Sequence, residues 1–327
     1  MRILVTGASG SLGRFLVQRL LDENGIGGDT GRFQSLTLMA RHTDTLPRGN
    51  RIRVIAGDIR DPAAREKAIE GGVDVVFHFA ASLAADAERN FDDGRAINID
   101  ASFAFIELLR RQTKPVRLVY PSSIGIFGDA LHQPVDDDTM PRPNISYGAA
   151  KFINELYISD LTRRGDIDGV SLRLSACLPR NRQPDLTPSP DFASSVFHAL
   201  AAGDPFKMPV SPAAAMWFSS TPQFLDSVLL AARIPGETYG SRRAFMLPAL
   251  RLSIAELVET LVAEIGPRAR DLVSWHPQPG VEETFARFPP LTTAFADSLG
   301  FVHDGTPQRL VQRTLSLISA PISGNRL

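Results

Sequence analysis

Three glycines at a fixed spacing behind the first apolar run constrain the fold of this chain more than any other feature. The run Ile3-Leu4-Val5 is followed by Gly7-Ala8-Ser9-Gly10-Ser11-Leu12-Gly13, where an amphipathic helical pattern begins. Glycines at this spacing let the backbone turn sharply and let a pyrophosphate approach the main chain. The helix behind them aims its N-terminal amides at that charge. The motif therefore predicts a strand, a tight turn and a helix that together bind a dinucleotide.

Short β-branched runs alternate with helical patterns through the first half of the chain. They are apolar on both faces, as expected for parallel strands that are covered by helices on two sides. Five such runs lie at 3–5, 36–39, 54–55, 73–79 and 116–120, and we expect a sixth strand at 169–174 and a seventh at 244–247. This alternation predicts the α/β class, with a doubly wound parallel Rossmann sheet whose ligand site lies at the carboxyl ends of the strands.

A change of texture after residue 178 indicates a second, smaller lobe. Residues 179–222 contain eight prolines, which regular helices and central strands do not tolerate, so we expect little regular structure there. We assign two segments, 1–178 and 221–247, to the dinucleotide-binding Rossmann domain. The C-terminal substrate-binding lobe then consists of 179–220 and 248–327.

Composition excludes several classes of function. The 35 basic and 36 acidic residues give a net charge of −1, which lacks the electrostatic footprint of a nucleic-acid binder. Cys177 is the single cysteine, so no intrachain disulfide forms and a reducing cytoplasm is expected. The first apolar run ends too early for a signal peptide, and no stretch approaches the roughly 20 apolar residues of a membrane span. No histidines have metal-ligand spacing, and we predict no metal.

A tyrosine and a lysine four residues apart carry the expected chemistry. Tyr147 and Lys151 share one face of a predicted helix. Free tyrosine has a pKa of about 10, and an adjacent cation favours its phenolate. Such a tyrosine exchanges a proton with a substrate hydroxyl. A hydroxyl of Ser122 or Ser123, directly after the fifth strand run, would hold the same substrate oxygen.

These motifs together resemble the extended short-chain dehydrogenase/reductase superfamily, of the NAD-dependent epimerase/dehydratase type. The resemblance is carried by Thr6-Gly7-x-x-Gly10-x-x-Gly13, Gly57-Asp58-Ile59, His78-Phe79-Ala80-Ala81, Asn98, Ser122-Ser123-x-x-x-Phe127-Gly128 and Tyr147-x-x-x-Lys151. Within it, the chain is similar to the D-erythronate dehydrogenase group, which oxidises the 2-hydroxyl of a four-carbon sugar acid. That closer similarity lies in 87–92, 146–148 and 161–165.

The resemblance implies a role for each matched residue. The catalytic residues would be Ser123, Tyr147 and Lys151, since Ser123 stands four positions before Phe127. The cofactor would be bound by Gly7, Gly10, Ser11, Leu12, Gly13, Asp58, Ile59, Ala80, Ala81, Asn98, Tyr147 and Lys151. The substrate would be bound by Ser82, Ser123, Arg180, Asp191 and His198.

The end of the second strand bears on the choice of nicotinamide cofactor. NAD-specific relatives carry an acidic residue there, which binds the ribose 2′-hydroxyl. This chain has Ala40, followed by Arg41 and His42. Because arginine pairs with a 2′-phosphate, we expect NADP to be preferred over NAD, with Arg41 as a further cofactor-binding residue.

The substrate lobe departs from the erythronate group. Where the group carries Arg-Pro-Gly-Lys-Pro-Asn, this chain has Arg180-Asn181-Arg182-Gln183-Pro184-Asp185. Asp191 replaces a serine of the group, and His198 replaces an arginine. A new carboxylate and a lost cation leave the sugar-acid substrate open, although Arg180 and Arg182 remain to bind one.

The sequence thus predicts a cytoplasmic NAD(P)-dependent oxidoreductase. It would transfer hydride between nicotinamide and a hydroxyl or carbonyl of a small polar compound, such as erythronate, with Tyr147 as the acid/base. Two alternatives stay open: a nucleotide-sugar epimerase or dehydratase, and a non-catalytic NADP-binding regulatory protein, against which intact Tyr147 and Lys151 argue. The resemblance also implies a homodimer built from the helices at 100–111 and 147–163. His78, Cys177 and Trp217 are expected to be packing residues.

Overall fold

The computed structural model describes residues 1–28, 31–128, 131, 134–180 and 191–319, and the chain divides into two compact units. The first comprises Met1–Asp129, Met140–Leu174 and Leu225–Met246, and the second comprises Ala130–Thr139, Ser175–Phe224 and Leu247–Leu327. The predicted domain boundaries differ from this division at 130–139, 175–178, 221–224 and 247, which belong to the second unit.

Twelve strands run through the described residues: β1 Arg2–Thr6, β2 Ser35–Ala40, β3 Ile52–Ala56, β4 Val75–His78, β5 Arg117–Ser123, β6 Asp168–Leu174, β7 Ala176–Leu178, β8 Phe206–Met208, β9 Ala215–Ser220, β10 Ala244–Met246, β11 Leu250–Ser253 and β12 Val273–Trp275. The α-helices of the same residues are α1 Gly13–Asp22, α2 Pro62–Ile69, α3 Ala84–Arg89, α4 Phe91–Arg95, α5 Ser102–Arg110, α6 Ser146–Arg163, α7 Phe192–Ala202, α8 Thr221–Arg233, α9 Ile254–Ile265, α10 Pro279–Phe285, α11 Ala294–Ser298 and α12 Pro307–Ser319. A π-helical segment, Ala96–Ala101, leads into α5.

The first unit is built on a seven-stranded sheet with the order β10-β6-β5-β4-β1-β2-β3. Every pairing in it is parallel, and β1 pairs with both β2 and β4. The strand order reverses between β1 and β4, which is the place where doubly wound sheets bind their ligands. The predicted Rossmann sheet is confirmed, and all seven predicted strands belong to it.

Helices cover this sheet because their apolar faces match its apolar strands. Phe105, Ile106 and Leu109 of α5 are fully buried and join strand residues such as Leu4 and Val76 in one core cluster. Burying each such side chain contributes about 1.5–3 kcal/mol. Ile158 and Leu161 of α6 belong to the same cluster, so both helices are packed against the sheet.

The second unit contains two small sheets, with orders β11-β9-β7 and β12-β8. Trp217 lies in the central strand β9, is fully buried and donates its Nε1–H to Pro289 O at 2.8 Å. The expectation of little regular structure across 179–222 was wrong for 192–220, which hold α7, β8 and β9. Pro205, Pro209 and Pro212 fall between these elements, and Pro222 lies in the first turn of α8, so the prolines limit the elements without preventing them.

The sequence contains no stretch as apolar as a membrane span, and the helices of the structure agree with this. Within the described ranges, none combines the length and the apolar character that a bilayer span requires.

Candidate active site

The glycine turn after β1 is shaped by close approaches of the backbone. Gly7 has φ +67°, and a Cβ there would lie 2.7 Å from both Phe79 C and Ala80 N. A Cβ at Gly13 would lie 2.1 Å from Gly7 O, so α1 begins directly against the turn. Only glycine fits at these two positions, which is the tight strand–turn–helix packing that dinucleotide-binding turns require.

A cavity of about 640 Å³ opens at the carboxyl ends of β1, β2, β3 and β4. Its volume is within the usual range for sites that bind small molecules and cofactors. Eight of the predicted site residues line it: Gly7, Gly10, Arg41, Asp58, Ile59, Ala80, Ala81 and Ser82. The other ten do not line it: Ser11, Leu12 and Gly13 lie where the turn passes into α1, and outside the lining stand Asn98, Ser123, Tyr147, Lys151, Arg180, Asp191 and His198.

Asp58 is held as an ionised carboxylate on the cavity wall. Arg60 donates from its backbone N–H and Nε to Asp58 Oδ1, at 2.9 and 3.0 Å, and from Nη2 to Oδ2 at 2.8 Å. These hydrogen bonds, with a smaller contribution from the charge of Arg41, lower the pKa of Asp58. The remaining nitrogen of Arg60, Nη1, binds Asp93, a second cavity residue.

Asn98 does not line the cavity, but it holds the backbone of Ser82, which does. Its Oδ1 accepts from Ser82 N at 2.8 Å and its Nδ2 donates to Ser82 O at 2.9 Å. Asn154 of α6 donates to Asn98 O at 2.7 Å, a bond that the wider π-helical turn around Asn98 allows because it frees carbonyl groups from the regular ladder. The buried Asn98 therefore fixes the Ser82 backbone on the cavity wall.

Lys151 lies buried beneath Tyr147 on the same helix. Its Nζ donates to Pro121 O at 2.7 Å and lies 4.5 Å from the ring centroid of Tyr120 and 5.5 Å from that of Tyr147. Burial lowers the pKa of Lys151 to about 7, and the negative charge of Glu155 opposes that shift. The Lys151 amine and the Tyr147 ring are thus neighbours, as their spacing in the sequence predicts.

Two glycines bring Ser123 and Tyr147 to the same place. Gly125 stands two residues after Ser123 and donates its N–H to Ser123 Oγ at 3.0 Å. A Cβ at Gly125 would lie 3.4 Å from Ser123 Oγ and 3.7 Å from Tyr147 Cδ1. A Cβ at Gly148 would lie 2.1 Å from Gly125 O. The start of α6 thus packs directly on the turn after β5, and both Ser123 Oγ and the Tyr147 ring lie close to the Cβ position of Gly125.

The predicted substrate residues of the second unit also lie together. Arg180 Nη1 donates to Asp191 Oδ1 at 2.9 Å, and Arg180 N donates to Ser194 Oγ at 2.8 Å. His198 Nε2 lies 2.8 Å from Arg180 O. The new carboxylate and histidine of this chain are therefore used to hold Arg180, while Arg182 lies outside the described residues.

His78 and Cys177 are packing residues in this structure. His78 Nδ1 lies 2.7 Å from Thr6 Oγ1 and its Nε2 lies 3.2 Å from Ser102 Oγ. Burial, aided by the charge of Lys151, lowers the pKa of His78 to about 3, and burial raises the pKa of Cys177 to about 12. Among the described residues no cluster of three or more histidines, cysteines and carboxylates could hold a metal ion.

Sequence reasoning missed three residues that organise this site: Arg60, Glu88 and Asn154. Arg60 stands two positions from Asp58, a spacing typical of local side-chain turns. Glu88 accepts a hydrogen bond from Ser146 N, and Asn154 reaches Asn98 across 56 residues. No local pattern indicates such long-range bonds.

The chain is similar to known proteins over most of its length. A family model described as "NAD dependent epimerase/dehydratase family" matches residues 3–211. D-erythronate dehydrogenase of Cupriavidus necator is 33% identical over 318 residues, covering 95% of this chain and 97% of the relative. D-erythronate dehydrogenase of Haemophilus influenzae is 27% identical over 315 residues, covering 96% and 98%.

A solved structure agrees with these sequence similarities. The nucleoside-diphosphate-sugar epimerase from Agrobacterium tumefaciens superposes with a TM-score of 0.89 at 30% identity, covering 97% of this chain and 94% of that one. The predicted superfamily and the predicted similarity to the D-erythronate dehydrogenase group are confirmed. The chain belongs to the NAD dependent epimerase/dehydratase family.

Proposed function

We propose that this chain is an NAD(P)-dependent dehydrogenase of the extended short-chain class that acts on a hydroxyl of a sugar acid. One observation carries the proposal: the Tyr147 ring lies 5.5 Å from the buried Lys151 Nζ and beside the same glycine as Ser123. Ser123 is the last residue of β5, which pairs with β4, one of the strands whose ends form the cavity; Tyr147 and Lys151 lie on α6. Two relatives named D-erythronate dehydrogenase support the sugar-acid class.

The chemistry divides between protein and cofactor. A bound nicotinamide ring would accept the hydride from the substrate carbon. Tyr147 takes the hydroxyl proton, and Ser123 holds the same oxygen by a hydrogen bond. Lys151, whose pKa burial lowers to about 7, stabilises the phenolate when it is charged and releases a proton readily near neutral pH. The substrate alcohol thus becomes a carbonyl.

The test is a screen of four- to six-carbon hydroxy acids for reduction of NAD and NADP. Tyr147→Phe should lower kcat about 10²- to 10⁴-fold because general acid–base catalysis is lost, with cofactor affinity retained. Tyr157→Phe removes a hydroxyl from the same helix, bonded to Glu107, and should leave kcat unchanged. An active Tyr147→Phe enzyme would contradict the assignment.

We further propose that NADP is preferred and that Arg41 pairs with its 2′-phosphate. Arg41 and His42 are exposed and line the cavity near Asp58. Hydrogen bonds to charged groups contribute about 1.5–3 kcal/mol, or roughly 10- to 100-fold in affinity. Arg41→Asp should therefore shift the ratio of NADPH to NADH affinity toward NADH by that factor. Arg48→Asp makes the same charge change at an exposed position outside the cavity lining, and equal selectivity in both variants would refute the proposal.

A nucleotide-sugar epimerase is the second candidate, because the Agrobacterium structure that the chain resembles at 30% identity is described as one. An epimerase interconverts its substrates without net reduction of cofactor. Steady cofactor reduction with free sugar acids, and no turnover of nucleotide sugars, would exclude it. Tight NADPH binding without hydride transfer across the whole panel would favour the regulatory alternative.

A homodimer is proposed for the assembled protein. On α6, Ile153 and Leu156 leave 38% and 58% of their surface exposed, and Tyr157 stacks on Phe103 of α5 at 4.4 Å. Leu156→Glu should convert a dimer into a monomer in light scattering, whereas a monomeric parent protein would reject the dimer. We also propose a cytoplasmic location, a small-molecule substrate, and neither nucleic acid nor membrane as partner, consistent with the net charge of −1.

A further inference from the structure

We propose that Glu88 is a positioning residue for Tyr147, because its carboxylate caps the helix on which this tyrosine lies. The inference rests on the proposed function, in which Tyr147 exchanges the substrate proton. Glu88 lies in α3, within the run 87–92 but with no predicted role, and its partner Ser146 is 58 residues away in the chain.

The α6 N-terminus lacks a cap from its own sequence. Ile145 occupies the N-cap position and has no side-chain acceptor, although the first amides of any helix need partners from outside the helix. Glu88 Oε1 accepts from Ser146 N at 2.5 Å. Since Ser146 is the first helical residue and Tyr147 the second, this bond fixes the backbone immediately before the phenol.

The negative charge of Glu88 is favourable at the N-terminus of α6. A carboxylate at a helix N-terminus interacts favourably with the partial positive charge of the unpaired amides. No acidic residue lies in the first turn of α6 itself, so Glu88 supplies from another element what the helix lacks.

The element that carries Glu88 is also a wall of the cavity. Residues on α3, α4 and their junction line it, among them Asp86, Asn90 and Asp93, and Asp93 is bonded to Arg60. One short segment therefore contacts the cavity on one side and the start of α6 on the other. Glu88 ties the position of Tyr147 to the wall of the dinucleotide site.

Amide hydrogen exchange of the protein without cofactor tests the cap directly. Loss of a helix cap destabilises its helix by a factor of about 2 to 30, so Glu88→Ala should speed exchange of residues 146–149 by about that factor. Glu88→Gln keeps an acceptor oxygen and should retain most of the protection. Glu66→Ala removes an exposed glutamate of α2 and serves as the matched control. Exchange in Glu88→Ala equal to that of the control would overturn the proposal.

Steady-state kinetics test the consequence for Tyr147. In Glu88→Ala, kcat should fall roughly 10-fold, in keeping with a misplaced reacting group, with KM nearly constant and partial recovery in Glu88→Gln. Faster exchange with an unchanged kcat would also overturn the proposal, since the cap would then be structural only. If the parent protein binds dinucleotide but turns over no substrate, the proposed function fails, while the exchange result still decides whether the cap exists.

Discussion

Replacing Gly148 with alanine tests whether the backbone contact between α6 and the turn after β5 positions the catalytic residues. The new Cβ would lie 2.1 Å from Gly125 O and 2.8 Å from Gly125 C, and both atoms belong to the main chain. Neither can rotate away as the end of a side chain would. Reaching an ordinary contact of 3.4 Å requires the two segments to separate by about 1.3 Å.

That separation acts on the reacting groups directly, because Tyr147 precedes Gly148 and Ser123 stands two residues before Gly125. A displacement of about 1 Å costs roughly 10²-fold in rate when it misplaces reacting groups. Overpacking of this kind also costs about 1–3 kcal/mol of stability. Gly148→Ala should therefore fold with a lowered midpoint of denaturation and lose about two orders of magnitude in kcat.

The measurements separate position from folding. Cofactor affinity, followed by fluorescence of the reduced nicotinamide, should stay near that of the parent protein because Gly148 does not line the cavity. Gly280→Ala is the matched control: a Cβ at that exposed helical glycine meets nothing within 4 Å. Normal kcat and normal stability in Gly148→Ala would refute the reasoning that this approach sets the catalytic geometry.

Three further predictions concern buried groups. In the unfolded chain Lys151 has an ordinary pKa of about 10.4, whereas in the folded protein burial lowers its pKa to about 7. Between these two pH values the unfolded chain therefore binds one more proton than the folded protein. The free energy of unfolding should rise with pH in this range, by at most about 1.4 kcal/mol per pH unit. Lys151→Met should flatten this rise in denaturant titrations at several pH values. Burial raises the pKa of Cys177 to about 12, so a thiol reagent should label the unfolded chain and spare the native one; rapid native labelling would contradict this. Glu155→Ala leaves Arg173, which is only 7% exposed, without its carboxylate partner. The free energy of unfolding should fall by about 3–5 kcal/mol. An unchanged free energy of unfolding would show that Arg173 finds another partner.

The features that sequence reasoning predicted correctly are those encoded locally. The glycine turn, the apolar strand runs and the Tyr147–Lys151 spacing each depend on residues a few positions apart, and the structure has each of them. Patterns of this kind survive because helix and strand periodicity alone decides which side chains share a face.

The features that it missed depend on pairs of distant residues. The approach of Gly148 to Gly125 and the bond from Ser146 to Glu88 arise only when β5, α3 and α6 are packed. Asn98 illustrates the same limit: its position in the motif was recognised, but its amide is used on the Ser82 backbone. In the second unit, the apolar run at 215–220 forms the fully buried strand β9 although prolines are frequent in the residues before it.

Strand β10 joins the sheet only after the chain has passed through Ser175–Phe224 of the second unit, and it pairs with β6 at the sheet edge. A protein truncated after Leu174 would leave the β6 edge without its partner, and an uncovered edge of this kind invites pairing between molecules. A chimera that combines the first unit of this protein with a second unit from another protein must therefore retain residues 225–246 of this chain. During synthesis on the ribosome, the sheet stays incomplete until those residues have emerged.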